Sequence, residues 1–181
     1  MKSLPLGGGL RYHGSGGGTM LHSFVRIHVH LVWSTKARER LLTKNIREVV
    51  RRHIIAYSAG KGIVVECMNV QIDHVHVLIS LSSDQKIDDA VKLIKGESSH
   101  WINSENLVRP KFSWQRGYGA FSVSHAHVNA VRDYITHQDE HHRRTTYADE
   151  TKMILMKYGY AASETDESVL ERHIDHQERH G

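Results

Sequence analysis

From Gln71 to Leu81 the chain reads QIDHVHVLISL, with Val75, Val77, Ile79 and Leu81 apolar at every second position and His74 and His76 opening the alternate set. A period of two belongs to a β-strand with one face in a core. The other face then presents two imidazoles, whose Cα atoms stand roughly 6.5 Å apart at strand rise. Phe24 to Trp33 alternates in the same way, Val25, Ile27, Val29 and Leu31 against Arg26, His28 and His30, and predicts an earlier strand with a His-x-His of its own. Between them, Leu41 to Ala59 places Ile46, Val49, Val50, Ile54 and Ile55 among basic residues, the spacing of an amphipathic helix, and Gly60 and Gly62 end it. Ile63 to Ile72 reads as a strand, joined to the next by a tight turn near Asp73.

Downstream, Ile87 to Ile102 predicts a second helix, with Asp84 as candidate N-cap, Val91, Ile94, Trp101 and Ile102 facing inward, and Lys92 and Lys95 on a basic side. A loop with Pro110 leads into FSWQRGYGAFSVS, whose alternating end, Ala120 to Val123, suggests a fourth strand. Ser124 is the expected cap of a third helix running to about His142 with Val128, Val131 and Ile135 at helical spacing, and a short helix from Tyr147 to Tyr158 follows. The order βαββαβ plus an appended helix suits an α+β fold, a ferredoxin-like split βαβ with one antiparallel sheet and helices on one face. There the first and third strands are central neighbours, so His28, His30, His74 and His76 would share a face. The expected organisation is a glycine-rich leader over 1–22, with Met20 as a plausible functional start, a folded domain over 23–145, and a short helix with an acidic, His-rich, unstructured tail over 146–181.

Charge refines this picture. Lys and Arg exceed Asp and Glu by 24 to 20, and the excess is local: Lys36 to Arg52 holds seven basic residues against two acidic, whereas Thr145 onward holds four against eight. A positive field confined to the first half suits a polyanion. Cys67 is the only cysteine, which excludes an intrachain disulfide and a Cys-rich zinc site. No apolar run reaches the roughly 20 residues of a membrane span, and the expected compartment is the cytoplasm.

Candidate chemistry gathers on the two His-x-His strands and on the third helix, where Tyr134 and Gln138 stand four apart and so share a face. For each of these residues the plainer alternative is an exposed polar strand face or a packed tyrosine. Five segments in order change the weighting. DHVHVLIS resembles the His-hydrophobic-His motif of the HUH endonucleases, and VRDYITHQ resembles the tyrosine helix of their single-tyrosine transposases. LIKGESSHWIN and FSWQRGYGAFSVS are similar to the segments between, and HLVWSTKARERLL to the first strand and its loop. The likeness runs from about Ser23 to His142.

This resemblance implies a metal-dependent nuclease and strand transferase acting on single-stranded DNA. His74, His76 and Gln138 would be metal ligands and Tyr134 the nucleophile, forming a 5′-phosphotyrosine. Two imidazoles and an amide oxygen would hold Mg2+ or Mn2+, and ligand type alone admits zinc as well. The resemblance further implies a homodimer with composite sites, histidines and tyrosine helix coming from different subunits, and hairpin DNA ends as partner. Lys36, Arg38, Arg40, Lys92, Lys95 and Arg116, with Arg109 and Lys111, are candidate phosphate contacts, and Trp114 and Tyr118 candidate base-stacking residues. His28 and His30 form a rival metal pair, or could instead support the site or touch DNA. A non-catalytic RNA- or single-stranded-DNA-binding module on the same fold is the alternative, disfavoured by histidines where such modules carry aromatics. A structural zinc protein is a third reading.

Overall fold

The computed structural model describes residues 25–138 and 147–159. Its centre is a four-stranded antiparallel sheet of β1 (Ile27–Ser34), β2 (Val64–Val70), β3 (His74–Leu81) and β4 (Gly119–Val123), ordered β2-β3-β1-β4. The expected split βαβ topology is therefore present, with β1 and β3 adjacent in the middle. Between the strands run α1 (Lys44–Gly60) and α2 (Ile87–Ser104), and after β4 come a short 3₁₀ turn (His125–His127), α3 (Val128–Thr136) and α4 (Tyr147–Lys157).

One face of the sheet carries the main core. Val29, Leu31 and Trp33 from β1, Met68 and Val70 from β2, and Val75, Val77, Ile79 and Leu81 from β3 meet Val50 and Ile54 of α1 and Ala90, Val91, Ile94 and Ile102 of α2. The helical stripes read from the sequence point inward except at Val49, which is half-buried and outside this core. The opposite face is not the solvated surface that simple alternation predicts. His28, His30, His74 and His76 are all buried there, His76 completely. α3 covers that face with Val128 and Ile135 against Leu78 and Val123, and Leu155 of α4 sits on Val32 and Phe121.

Several boundaries differ from the pattern for local physical reasons. Leu41–Thr43 stay outside α1 because Leu42 is drawn into the core and its N–H binds the Ile72 carbonyl at 3.0 Å. Asp84 does not cap α2: the N-cap is Lys86, without a side-chain bond, and the Asp84 carboxylate instead accepts from Ser82 Oγ at 2.6 Å. A short polar side chain that finds a partner within its own turn is lost to the helix. Ser124 likewise binds His127 Nδ1 at 2.7 Å, and α3 begins only at Val128 with His127 at its N-cap. α3 is interrupted at His137, its C-cap, and Gln138 is helical again. The expected extension beyond 138 to His142, the leader over 1–22 and the tail beyond 159 lie outside the described residues.

Strand β2 holds one irregularity. Val65 lies opposite Ile79 and Cys67 opposite Leu78, so Glu66 is an extra residue in the ladder, a β-bulge.

Candidate functional site

The antiparallel register sets the site. Ser34 pairs with His74 and Val32 with His76, while His30 pairs with Leu78, one diagonal step from His76. His74 and His76 follow directly on the turn at Ile72 and Asp73, which the Gln71 N–H closes by donating to the His74 carbonyl at 2.7 Å. Their rings lie 5.1 Å apart and nearly perpendicular, at 87°. The Tyr134 ring, delivered by α3, is 5.9 Å from the His76 ring and 6.2 Å from the His30 ring, edge-on to both. A single chain therefore brings the candidate nucleophile to a candidate metal ligand. Gln138 lies two residues past the end of α3 and is fully buried.

Whether these side chains suit a divalent cation turns on the ring nitrogens. Asp73 Oδ1 is 2.7 Å from His74 Nδ1. A carboxylate only accepts, so this Nδ1 carries the proton and Nε2 is the nitrogen that would bind a metal. Carboxylate-oriented histidine is the usual support for a metal ligand. His76 Nδ1 is engaged too, 3.1 Å from His30 Nε2, with the two rings stacked at 5.3 Å. Both imidazoles are thus gripped at Nδ1 and oriented. Among the described residues no group of three or more His, Cys, Asp and Glu could hold a metal. An ion here would rest on the two imidazoles with an amide oxygen, and that donor set fits a divalent cation with open positions.

His28, of the rival pair, faces a different neighbourhood. Its Nδ1 is 3.9 Å from Glu66 Oε1 and its ring 6.3 Å from that of His125. Glu66 also accepts from Arg132 of α3 at 2.9 Å. The bulge thus supplies an ion pair that ties the tyrosine-bearing helix to edge strand β2. The two members of the rival pair have different neighbours: His28 lies beside this ion pair, and the His30 ring stacks on His76.

The candidate phosphate contacts divide. Thr35 donates its N–H to the Asp73 carbonyl at 2.7 Å, Lys36 N–H to Ser113 at 3.0 Å, and Gln115 N–H to Ser34 at 2.9 Å. The segments bearing Lys36, Arg38, Arg40 and Arg116 are thereby held at the His74 end of the sheet. Lys92 is exposed and paired with Asp88 at 2.6 Å. Lys95 donates to the carbonyls of Arg116 and Gly117 at 2.7 and 2.8 Å, and its burial lowers its pKa to about 8. It clamps the loop before β4, a structural task the sequence did not suggest. Trp114 is a correction: it is buried, with Nε1 donating to Ser98 Oγ at 2.9 Å, and packs edge-on to Trp33 and Phe112, so it offers no face to a base. Tyr118 stays at the surface, its ring centre 5.8 Å from Lys95 Nζ.

Pattern alone did not reveal Asp73 and Glu66 as supports. The shared face of the four histidines was visible, but only the strand register says which ring meets which.

Comparison with known proteins agrees with this architecture. Residues 23–138 match the family model described as IS200-like transposase. The ISDra2 transposase TnpA of Deinococcus radiodurans is 28% identical over 120 residues, covering 64% of this chain and 86% of that protein. Two solved structures share the fold. A candidate transposase from Deinococcus radiodurans R1 superposes with a TM-score of 0.52 at 22% identity, covering 68% of this chain and 98% of that one. A REP-associated tyrosine transposase bound to a REP hairpin superposes with a TM-score of 0.53 at 15% identity, covering 70% and 74%.

Proposed function

Because the chain belongs to the IS200-like transposases, we propose that it cleaves and rejoins single-stranded DNA through a covalent 5′-phosphotyrosine on Tyr134. The observation that carries this reading is the meeting of the Tyr134 ring with His76 on one sheet face, 5.9 Å apart, at the end of the sheet that holds the segments bearing Lys36, Arg38, Arg40 and Arg116. Those four cations would hold the phosphodiester backbone. The Tyr134 hydroxyl attacks phosphorus, giving up its proton, and the 3′ hydroxyl of the upstream strand leaves. The reverse attack by another 3′ hydroxyl rejoins the ends and frees the phenol, with no outside energy source.

His74, His76 and Gln138 would hold a divalent cation, Mg2+ or Mn2+. When bound, such an ion polarises the phosphodiester as a Lewis acid and favours the phenolate. The residues themselves orient: Asp73 and His30 fix the two imidazoles, and the Glu66–Arg132 pair supports the helix that carries Tyr134.

The proposed substrate is hairpin DNA, the class named for the REP-hairpin-bound neighbour. A second copy of this chain is the proposed partner, since one tyrosine per chain can hold only one of two cleaved ends. Composite sites would require α3 to exchange between copies, whereas the arrangement described serves one chain's histidines with its own tyrosine. The protein would act in the cytoplasm; among the described residues no helix is long and apolar enough to cross a membrane.

The test is incubation with candidate hairpin single strands and Mg2+ or Mn2+, read on a denaturing gel. A covalent adduct that is lost in Tyr134→Phe and in EDTA is expected. Binding without an adduct on any such strand would replace the enzyme with a DNA-binding module.

A further inference from the structure

Of the two histidines on β1, His30 lies against the candidate metal site. It is buried in the sheet face, its Nε2 3.1 Å from His76 Nδ1, its ring stacked on that of His76 and 6.2 Å from Tyr134. The two metal-facing imidazoles are supported unequally. His74 leans on a carboxylate, which can only accept, so its tautomer follows from Asp73 alone. His76 leans on another imidazole, which can donate or accept, and two proton arrangements satisfy the same 3.1 Å contact.

Only one of them suits a ligand. If His30 Nε2 carries the proton and donates, His76 must keep its own proton on Nε2, and that nitrogen has no lone pair for a cation. If His30 carries its proton on Nδ1, its Nε2 accepts from His76 Nδ1–H and the lone pair of His76 Nε2 becomes the ligand. We infer that His30 is a positioning residue that holds His76 in the Nδ1–H tautomer and so makes its Nε2 a metal ligand. The inference rests on the metal-site reading above. It takes His30 out of the roles of rival ligand and DNA contact, and it explains a buried imidazole that the cleavage chemistry does not itself touch.

The test uses the full chain. Mn2+ affinity is measured by titration with electron paramagnetic detection of the free ion, for wild type, His76→Ala, His30→Ala and His30→Gln. The tautomer of His76 is read in parallel from nitrogen-15 imidazole shifts of the Mg2+-loaded wild type. His30→Ala is expected to weaken Mn2+ binding by about tenfold or more, the usual effect of losing an outer support. His30→Gln, whose amide oxygen can reach the place of Nε2, should recover most of it. The His76 ring should show the Nδ1–H pattern.

A smaller loss in His30→Ala, while His76→Ala still loses the ion, overturns the role of His30 and leaves the metal site standing. An Nε2–H pattern on loaded His76 does the same, and that measurement needs no variant to fold. If His76→Ala binds Mn2+ as wild type does, the metal-site reading fails and this inference falls with it.

Discussion

Adjacent residues of β3 face two different worlds. Val75, Val77 and Ile79 enter a core closed by two long helices, in which aliphatic and aromatic side chains do the packing. His74 and His76, one step away in sequence, enter a face where polar rings are just as buried but are held by specific partners, Asp73 and His30, under a nine-residue helix anchored by a much smaller apolar cluster. The first face depends on volume and tolerates no cavity. The second depends on which atom donates to which. Stability and chemistry are therefore separable along one strand, residue by residue.

The sharpest way to break that separation is His76→Ala. We expect single-strand cleavage per folded molecule to fall by about a thousandfold or more, as when a member of a catalytic constellation is removed. The stability loss in urea unfolding should be only about 1–3 kcal/mol, from leaving the buried His30 ring without this partner. Loss of folding instead would show that the histidine face is also core. Next in size is Ile79→Ala on the opposite face, where the emptied volume should cost about 3 kcal/mol in urea unfolding. Adduct yield per folded molecule should stay at the wild-type level.

Arg132→Ala probes the seam between the two worlds. Its partner Glu66 and its own side chain are partly exposed, so stability should drop by only about 0.5 kcal/mol. The rate of adduct formation should fall further than that, and combining Glu66→Arg with Arg132→Glu should restore part of it. Equal losses in rate and stability would reduce the pair to a surface contact.

A separate probe, read through pH rather than by truncation, is Lys95, a half-buried cation on α2. Burial lowers its pKa from 10.5 to about 8. Below about pH 8 folded and unfolded chains both carry the proton. Between about 8 and 10.5 the unfolded amine keeps it while the folded one has shed it, so the unfolded state binds more protons and stability rises with pH. Urea unfolding at pH 7.5 and 9.5 should show this increment in wild type, and Lys95→Met should remove it.

Much of the fold was legible because its periods are clean. β1 and β3 alternate over most of their length, broken only by Val32 and Leu78, α1 and α2 carry apolar stripes, and the order of elements left few topologies. The tyrosine helix and both histidines of β3 were visible too, through five segments resembling one family. What pattern could not supply was burial of the histidine face. Alternation assigns such residues to solvent, and only Val32 and Leu78 on that face, with the apolar stripe of Val128, Val131 and Ile135, hinted that something must cover the second side. The interruption of the helix at His137 is equally silent, since no glycine or proline marks it. Side-chain bonds within a turn also beat capping at Asp84 and Ser124, a competition that residue type alone does not resolve.

Strand β2 is one residue longer than its neighbour requires. Were Glu66 deleted, Val65 and Cys67 would still stand opposite Ile79 and Leu78, and the ladder would close as a regular one. The surplus residue is also the acid that reaches Arg132. A shortened strand should therefore leave the sheet intact while unfastening the helix above it, so that a length change in the scaffold would be felt only at the tyrosine.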